Sequence, residues 1–476
     1  MWWLIPVIIV LLLAVPVIRA VMFRPDKTGR VIPGEEEFDG DKVIENLQKL
    51  VRCRTVSYRD GSLEDDAEFE KLISMLPELY PNVFSACKFK RFPDRGLLFC
   101  WKGRNPGEPA VLMAHYDVVP ANEEDWSVPA FDAVIKDGAV WGRGTLDTKV
   151  TFGGILFAAE HLIKEGFVPE NTVYFAFSGG EEVNGPGAEH IVDYFEQNKI
   201  TPSMVVDEGG AVVENVFPGV KCPCGLIGIA EKGMMNVEFK AKSAGGHASA
   251  PKPQTPVTAL AKACCKVNSK PFKYHITPPV AKMFDTLGRH SSFVYRLIFS
   301  NPGIFAPVLD TICKKSGGEL NALMRTTVAF TQMEGSTAAN VIPPEARIIS
   351  NVRLNPMDSM QSGIDYLRRV VNDTDIEITA LNGMEPSRIS RTDCDGWEKV
   401  SAALASTWKG CIVSPYLMVQ CSDSRHYGKI SDKVYRFSAM DLTAEERATI
   451  HGNDEHIRIK TAKKAAEFYI RLMRMC

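Results

Sequence analysis

The sequence lacks an excess of charge of either sign: 55 basic and 58 acidic side chains leave a net charge of −3 and a pI near 6.4. It also lacks a basic stripe, the electrostatic footprint that a phosphate backbone requires, which argues against nucleic acid as a partner. Cysteine spacings of a disulfide framework or a zinc finger are missing too. The twelve cysteines fall singly or in tight pairs, Cys222/Cys224 and Cys264/Cys265, in a chain of 476 residues. A chain of that size buries sizeable cores without covalent staples, and such thiols suit a reducing compartment. Repeats and disorder-prone composition are absent. With 45% hydrophobic and 24% charged residues, this is an ordinary globular chain of two or three domains.

Residues 1–18, MWWLIPVIIVLLLAVPVI, carry no charged side chain, which is marginally enough to cross the roughly 30 Å hydrocarbon core of a bilayer as a helix. A cleaved signal peptide is the rival reading. Against it, no Lys or Arg precedes the apolar run, and Arg19 interrupts the one plausible cleavage site at Ala20. The expectation is a retained membrane segment over residues 1–24, with secretion after cleavage as the alternative. Arg19, Arg24, Lys27 and Arg30 all follow the segment, and the positive-inside rule then places the bulk of the chain on the cytoplasmic side.

Beyond a polar linker near residues 25–40, strand-like and helical patterns alternate, which predicts an α/β fold with a mixed, mostly parallel sheet. AVLMA (110–114), TVYFAF (172–177) and SMVV (203–206) read as buried strands, and TFGGILFAAEHLIKEG reads as a helix stopped by Gly166. Chemistry stands directly after each strand. His115 and Asp117 follow the first, Glu181 and Glu182 the second, Asp207 and Glu208 the third, and Asp147 precedes the helix. Loops beyond the carboxyl ends of parallel strands converge on one crevice. One His among several carboxylates on a single rim calls for a cation, and the absence of thiolate suits zinc, with cobalt or manganese also compatible. Two ions bridged by a carboxylate form a known hydrolytic arrangement. His115 is read as a metal ligand whose second ring nitrogen is held by Asp117.

Seven ordered motifs, HYDVVP, WGRGTLDTK, SGGEEVNGPGAEH, VDEGG, GGHASAP, NVIPP and HGNDEHI, resemble the di-zinc aminoacylase and carboxypeptidase family. IAEKGMMNVEF, IFSNPGIFAP, NALMRTTVAFT, DSRHY and VYRFSAM are similar to its branch of carboxypeptidase S and the N-fatty-acyl-amino-acid synthase/hydrolases. The resemblance implies that Asp147 bridges two zinc ions, one also held by His115 and Asp207 and the other by Glu182 and His451. It implies Glu181 as general base and a cis peptide after Asp147. His456 is expected on a helix or at the surface, and Glu208 in an outer or surface role.

From about residue 231 the pattern changes. A half-exposed strand, a helix (TPVTALAKACCKV), strands near 322–333 and 346–354, a helix (SMQSGIDYLRRVVN) and the strand IEITAL give the β-α-β-β-α-β order of a ferredoxin-like unit. It is expected to be inserted at 231–388 between two parts of the catalytic domain, 36–230 and 389–476. In the resembled family such a domain is a lid that pairs two copies into a homodimer. Residues 272–320 look like an insertion within it, either packing or enlarging an acyl pocket. His247, Asn340, Arg353 and, after the family's pattern, Arg425 are the expected substrate contacts, although Cys421-Ser422 depart from the family's usual Asn-Thr. The expected activity is zinc-dependent hydrolysis of an amide next to a free carboxylate, releasing an amino acid from an N-acyl amino acid or small peptide. A catalytically silent, membrane-tethered binding protein on the same scaffold is the alternative from another class.

Overall fold

The computed structural model describes residues 14–25 and 31–476. Most of the apolar run expected to span a membrane falls in residues 1–13, outside the described residues. Residues 14–22 are helical (α1) and bury Ala20. Among the described residues no helix is long and apolar enough to cross a membrane.

The core of the molecule is an eight-stranded mixed sheet. Its strands are β1 (Lys88–Phe92), β2 (Gly96–Trp101), β3 (Asn105–His115), β6 (Asn171–Ser178), β7 (Met204–Val213), β8 (Cys224–Glu231), β15 (Ile412–Met418) and β16 (Val434–Leu442). They stand in the order β1-β2-β6-β3-β7-β16-β8-β15, with β3, β6, β7 and β16 mutually parallel where they pair. Parallel strands need both faces covered, and β3 shows how its sequence supplies two apolar faces. Ala110, Leu112 and Ala114 enter one cluster, while Val111 and Met113 enter the other. Helices α2 (Gly40–Val51), α3 (Asp66–Leu79), α4 (Pro81–Ala86), α5 (Lys149–Lys164) and the C-terminal α15 (Ile459–Arg474) add their apolar residues to the first cluster. Helix α6 (Gly187–Gln197) covers the second through Ile191, Val192 and Phe195. In α2 the buried Val43, Ile44, Leu47, Leu50 and Val51 recur at helical spacing, and the Asp39 side chain caps the helix by accepting the Lys42 amide.

The short strands β4 (Val134–Lys136), β5 (Ala139–Trp141) and β17 (His456–Arg458) form a three-stranded sheet that ties the C-terminal motif to the middle of the chain. His456 is therefore a strand residue, not a helical one, and its ring stacks on Trp141 at 4.3 Å. A separate antiparallel sheet is built from β9 (Gly233–Lys242), β11 (Thr327–Glu334), β13 (Glu345–Leu354) and β14 (Ile376–Met384), in the order β11-β13-β9-β14. Helices α7 (Pro256–Ser269) and α12 (Met360–Val371) share its apolar core, and each starts on a reciprocal Thr–Thr or Ser–Ser capping pair. At its periphery β10 (Gly246–His247) pairs with β12 (Val341–Ile342).

The expected insertion at 272–320 folds as helices α8 (Pro278–His290), α9 (Phe293–Phe299), α10 (Pro302–Ser316) and the start of α11 (Gly318–Met324). Its buried Val280, Met283, Phe284, Leu287, Phe299, Leu309 and Cys313 join the core of the main sheet rather than that of the smaller one. The remaining chain supplies α13 (Asp395–Thr407) and α14 (Ala444–Thr449). All twelve thiols are free.

Candidate metal centre

The expected residues gather at the carboxyl ends of the central strands. His115 is the last residue of β3, and its Nδ1 lies 3.0 Å from the Asp117 carbonyl oxygen and 3.4 Å from the Asp117 carboxylate. That nitrogen is the donor, which leaves Nε2 to face the centre. Nε2 stands 3.0 Å from Asp147 Oδ1, while the other Asp147 oxygen stands 3.0 Å from His451 Nε2. One carboxylate thus spans two imidazoles that come from opposite ends of the chain. His451 also lies 3.1 Å from Glu182 Oε2. The peptide bond from Asp147 to Thr148 is cis.

Asp117 has a second task beyond the expected orientation of His115. Its two carboxylate oxygens accept the amides of Glu181 and Glu182, each at 3.2 Å. The loop after β6 is thereby pinned so that the neighbouring glutamates diverge. Glu182 goes with Asp147 and His451, and Glu181 goes with His115 and Glu208.

Glu208 corrects the sequence reading, which gave it an outer or surface role. Its Oε2 lies 3.4 Å from His115 Nε2, and it lines the central cavity. Alternation along a strand should send Asp207 and Glu208 to opposite faces. The register shift of β7 against β16 overrides this: Arg436 pairs with Asp207 and the next residue, Phe437, pairs with Gly210. The resulting bulge brings Glu208 beside His115, whereas Asp207, the expected ligand, lies outside the ligand groups formed by the described residues. Asp207 is buried, and its Oδ2 accepts the Ser424 amide at 2.9 Å.

Glu455 and Lys149 are structural supports that sequence reasoning missed. Glu455 is fully buried and accepts the amides of Gly144, Leu146 and Asp147 together with Arg143 Nη1. The one signal available was its place inside HGNDEHI. Lys149 opens α5 and donates to the carbonyls of Leu50 and Cys53 at 3.0 and 2.6 Å, tying α5 to the end of α2. Its burial pushes its pKa down to about 8.

The electrostatics are those of crowded anions awaiting cations. Burial and the adjacent Glu208 raise the Glu181 carboxyl well above the carboxylate range. Burial lifts Glu208 to about 8 and also raises Glu182 and Asp207. Burial would raise Asp147 as well, but the two imidazoles hold it well below the usual carboxylate range. Its partners respond in turn, with Asp147 and Glu182 lifting His451 to about 10. The ligand atoms of His115, Asp147 and Glu182 lie within 4.8 Å of one another, as do those of His115, Glu181 and Glu208. Among the described residues Glu182 Oε1 is buried without a hydrogen-bond partner, a need that a cation would satisfy. Nitrogen and oxygen donors without thiolate fit zinc, manganese or cobalt.

The expected substrate contacts are divided. Arg353 donates Nε to Asn351 Oδ1 at 2.9 Å and reaches Cys421 Sγ at 3.5 Å, and Cys421 lines the cavity. Arg425 donates to the Ser422 carbonyl and, at 3.3 Å, to Asn184 beside the Glu182 loop. His247 and Asn340 sit together at the exposed β10–β12 strand pair, where the Ala248 amide bonds the Asn340 carbonyl. Neither lines the central cavity. That cavity, about 460 Å³, runs from the carboxylate cluster over Ala211, Val213, Leu226, Met418, Met440 and Leu442, and it contains Arg447, which the sequence reading did not single out.

The sequence pattern of peptidase family M20/M25/M40 matches residues 111–475. The chain is 33% identical to the probable carboxypeptidase S-like 2 of Dictyostelium discoideum over 441 residues, covering 91% of this chain and 85% of that one. It is 32% identical over 446 residues to the N-fatty-acyl-amino acid synthase/hydrolase PM20D1 of Xenopus tropicalis, covering 92% and 86%. Among solved structures, the M20 family metallo-carboxypeptidase Sso-CP2 of Sulfolobus solfataricus superposes with a TM-score of 0.66 at 18% identity, covering 91% of this chain and 98% of that one, a likeness of fold.

Proposed function

The chain belongs to peptidase family M20/M25/M40 and is a hydrolase, and from that premise we propose that it uses zinc to cleave an amide next to a free carboxylate, releasing an amino acid from an N-acyl amino acid. The observation that carries this reading is Asp147, whose two oxygens each face one imidazole, His115 and His451, at 3.0 Å. His115 with Asp147 and Glu208 would hold one ion, and Asp147 with Glu182 and His451 the other. When bound, the ions supply Lewis acidity that polarises the scissile carbonyl and acidifies water at neutral pH.

The protein's own groups do the rest. Glu181 takes a proton from the attacking water and returns it to the departing amine nitrogen. Burial and the neighbouring Glu208 raise its pKa, which favours retention of the proton between the two transfers. Asp117 holds the Glu181 amide, so the base is positioned by a buried, rigid anchor. Arg353 and Arg425, which flank the Cys421–Asp423 loop, grip the substrate carboxylate through charge-assisted bonds.

The apolar lining of the cavity favours an acyl group over a glycyl residue, and the name of the Xenopus relative points the same way. We read the β9–β14 unit as a lid whose β10–β12 strand pair brings His247 and Asn340 to the substrate carbonyl and whose larger sheet pairs two copies. Both residues stand exposed at that strand pair, outside the cavity. Attachment to a membrane on its cytoplasmic side is proposed from the uncharged residues 1–18 and the basic residues after them.

The test is a panel on the full, zinc-loaded chain. One amino acid carries an acetyl, long-chain acyl or glycyl group, each with its carboxylate free or amidated. Release from the free acyl substrates supports the reading. Preference for glycyl indicates a carboxypeptidase, and equal rates on amidated substrates contradict carboxylate recognition.

A further inference from the structure

The cavity above the metal centre is floored by one face of the main sheet. Its lining residues recur at alternate positions on β16 (Ser438, Met440 and Leu442) and β15 (Tyr416 and Met418), while β7 contributes the run Glu208 to Ala211 and then Val213. Alternation places the β16 and β15 sets each on a single side, and the five steps from Glu208 to Val213 carry that floor about 16 Å at the usual rise of a strand. In the cavity wall the Tyr416 hydroxyl donates to Glu319 Oε1 at 2.8 Å.

Behind this bond lies a second, apolar cavity of about 30 Å³ beneath the helical insertion, lined by Phe217, Met283, Leu287, Leu320 and Leu323. The two cavities share Leu226, Glu319 and Tyr416 as a common wall, so the partition is a single layer of side chains. Apart from Glu319 and Tyr416 in the shared wall, the lining of this cavity is apolar, a surface that suits hydrocarbon.

The wall is hung on a hinge. Glu319 belongs to α11, which is joined to α10 by Gly317 and Gly318 at φ of 62° and 67°. A Cβ built on either glycine meets nothing within 4 Å, so backbone conformation, and not crowding, accounts for glycine here. The opposite end of α11 is pinned. Lys232 Nζ donates to the carbonyls of Ala322 and Arg325 at 2.9 and 2.7 Å, and Arg325 donates to the Phe272 carbonyl at 2.8 Å. Glu319 itself is exposed, whereas Tyr416 is buried, so the bond can open by moving Glu319 into water.

We propose that Tyr416 and Glu319 form a chain-length gate: swinging α11 on its glycine pair joins the catalytic cavity to the apolar cavity under the insertion, which receives the distal methylenes of a long saturated acyl chain. This rests on the acyl-amino-acid reading above and assigns the helical insertion to that substrate.

The experiment measures kcat/KM on the N-acetyl and N-palmitoyl forms of one amino acid, with the zinc-loaded full chain, together with calorimetric binding of both compounds to a Glu181→Ala background. Leu323→Trp and Leu320→Phe, which fill the rear cavity from two positions, are expected to lower the palmitoyl-to-acetyl ratio about tenfold in both measurements. The second position guards against misfolding of the first, checked by circular dichroism. Tyr416→Phe, which removes only the hydroxyl, is expected to raise the ratio. Unchanged ratios in folded cavity-filling variants overturn the gate, as does a fall with Tyr416→Phe. If the substrate carboxylate occupies this end instead, Arg447→Ala weakens both compounds alike and the cavity-filling variants show no length dependence, which also overturns it. Chain-length-dependent binding without hydrolysis by the otherwise unaltered protein leaves the rear cavity standing and refutes the hydrolase reading.

Discussion

Glu455 and Asp147 are separated by 308 residues, yet one carboxylate oxygen of Glu455 accepts the Asp147 amide at 3.2 Å and the Leu146 amide at 2.7 Å. The other oxygen binds Arg143 Nη1 at 2.7 Å and the Gly144 amide at 3.0 Å. The bridging carboxylate is therefore aimed by a residue four positions beyond His451, and both ends of the metal-binding set are held by one segment. Glu455→Gln preserves shape but loses acceptor capacity, and zinc affinity is expected to fall about 10- to 100-fold, the usual effect of disturbing the groups behind ligands. Glu455→Ala leaves Arg143 buried without its ionic partner and is expected to destabilise the fold by about 3–5 kcal/mol in urea titration. Zinc binding by Glu455→Gln equal to that of the unaltered chain contradicts this role.

The adjacent glutamates should behave as opposites. Glu181→Ala is expected to keep its zinc and lose turnover by a factor on the order of 10² to 10⁴, the range for a positioned base. Glu182→Ala is expected to lose zinc, since its Oε2 faces His451 at 3.1 Å beside the bridging aspartate. Metal analysis of the two purified variants decides the matter, and exchanged phenotypes reverse the assignment.

Arg353→Ala and Arg425→Ala are each expected to raise KM about tenfold or more for substrates with a free carboxylate, as for the loss of one charge-assisted hydrogen bond of about 1.5–3 kcal/mol. The kcat should change less, because the contact is made in ground and transition states alike. Steady-state kinetics on free and amidated substrates checks this, and an equal effect on both argues that the arginines hold the fold instead.

Much of the site was legible because its residues announce themselves in sequence: a His or carboxylate directly after a buried apolar run needs no long-range information to place it on a rim. His115 and Glu182 were legible in this way, Asp147 by its place before a helix, and His451 only through the resemblance of HGNDEHI. Glu208 was not legible, since alternation assigns it to the wrong face and only the bulge between β7 and β16 turns it inward. Glu455 was hidden for a different reason. A charged residue in a polar motif looks solvated until the amides it accepts are known. In the fold, residues 272–320 resisted reading because their prolines suggest irregular chain. Pro278 and Pro302 instead occupy the first turns of α8 and α10, where the missing amide costs no helical hydrogen bond. The strand read near 322–333 begins only at Thr327, because Leu323 and Met324 complete α11.

Metal binding should appear as stability. Zinc supplied at 1,000 times its dissociation constant is expected to stabilise the native chain by about 4 kcal/mol relative to chelated protein. Urea unfolding with and without a chelator reads this directly. Coincident transitions would mean that the clustered carboxylates are held by protein contacts alone.

The most direct measurement is the release of free amino acid from an N-acyl amino acid by the full chain, before chelation, after chelation and after zinc is restored. The predicted result is hydrolysis that disappears with the metal, returns with zinc and is absent in Glu181→Ala. Hydrolysis that persists through chelation, or no hydrolysis of any acyl amino acid by the zinc-loaded chain, contradicts the account.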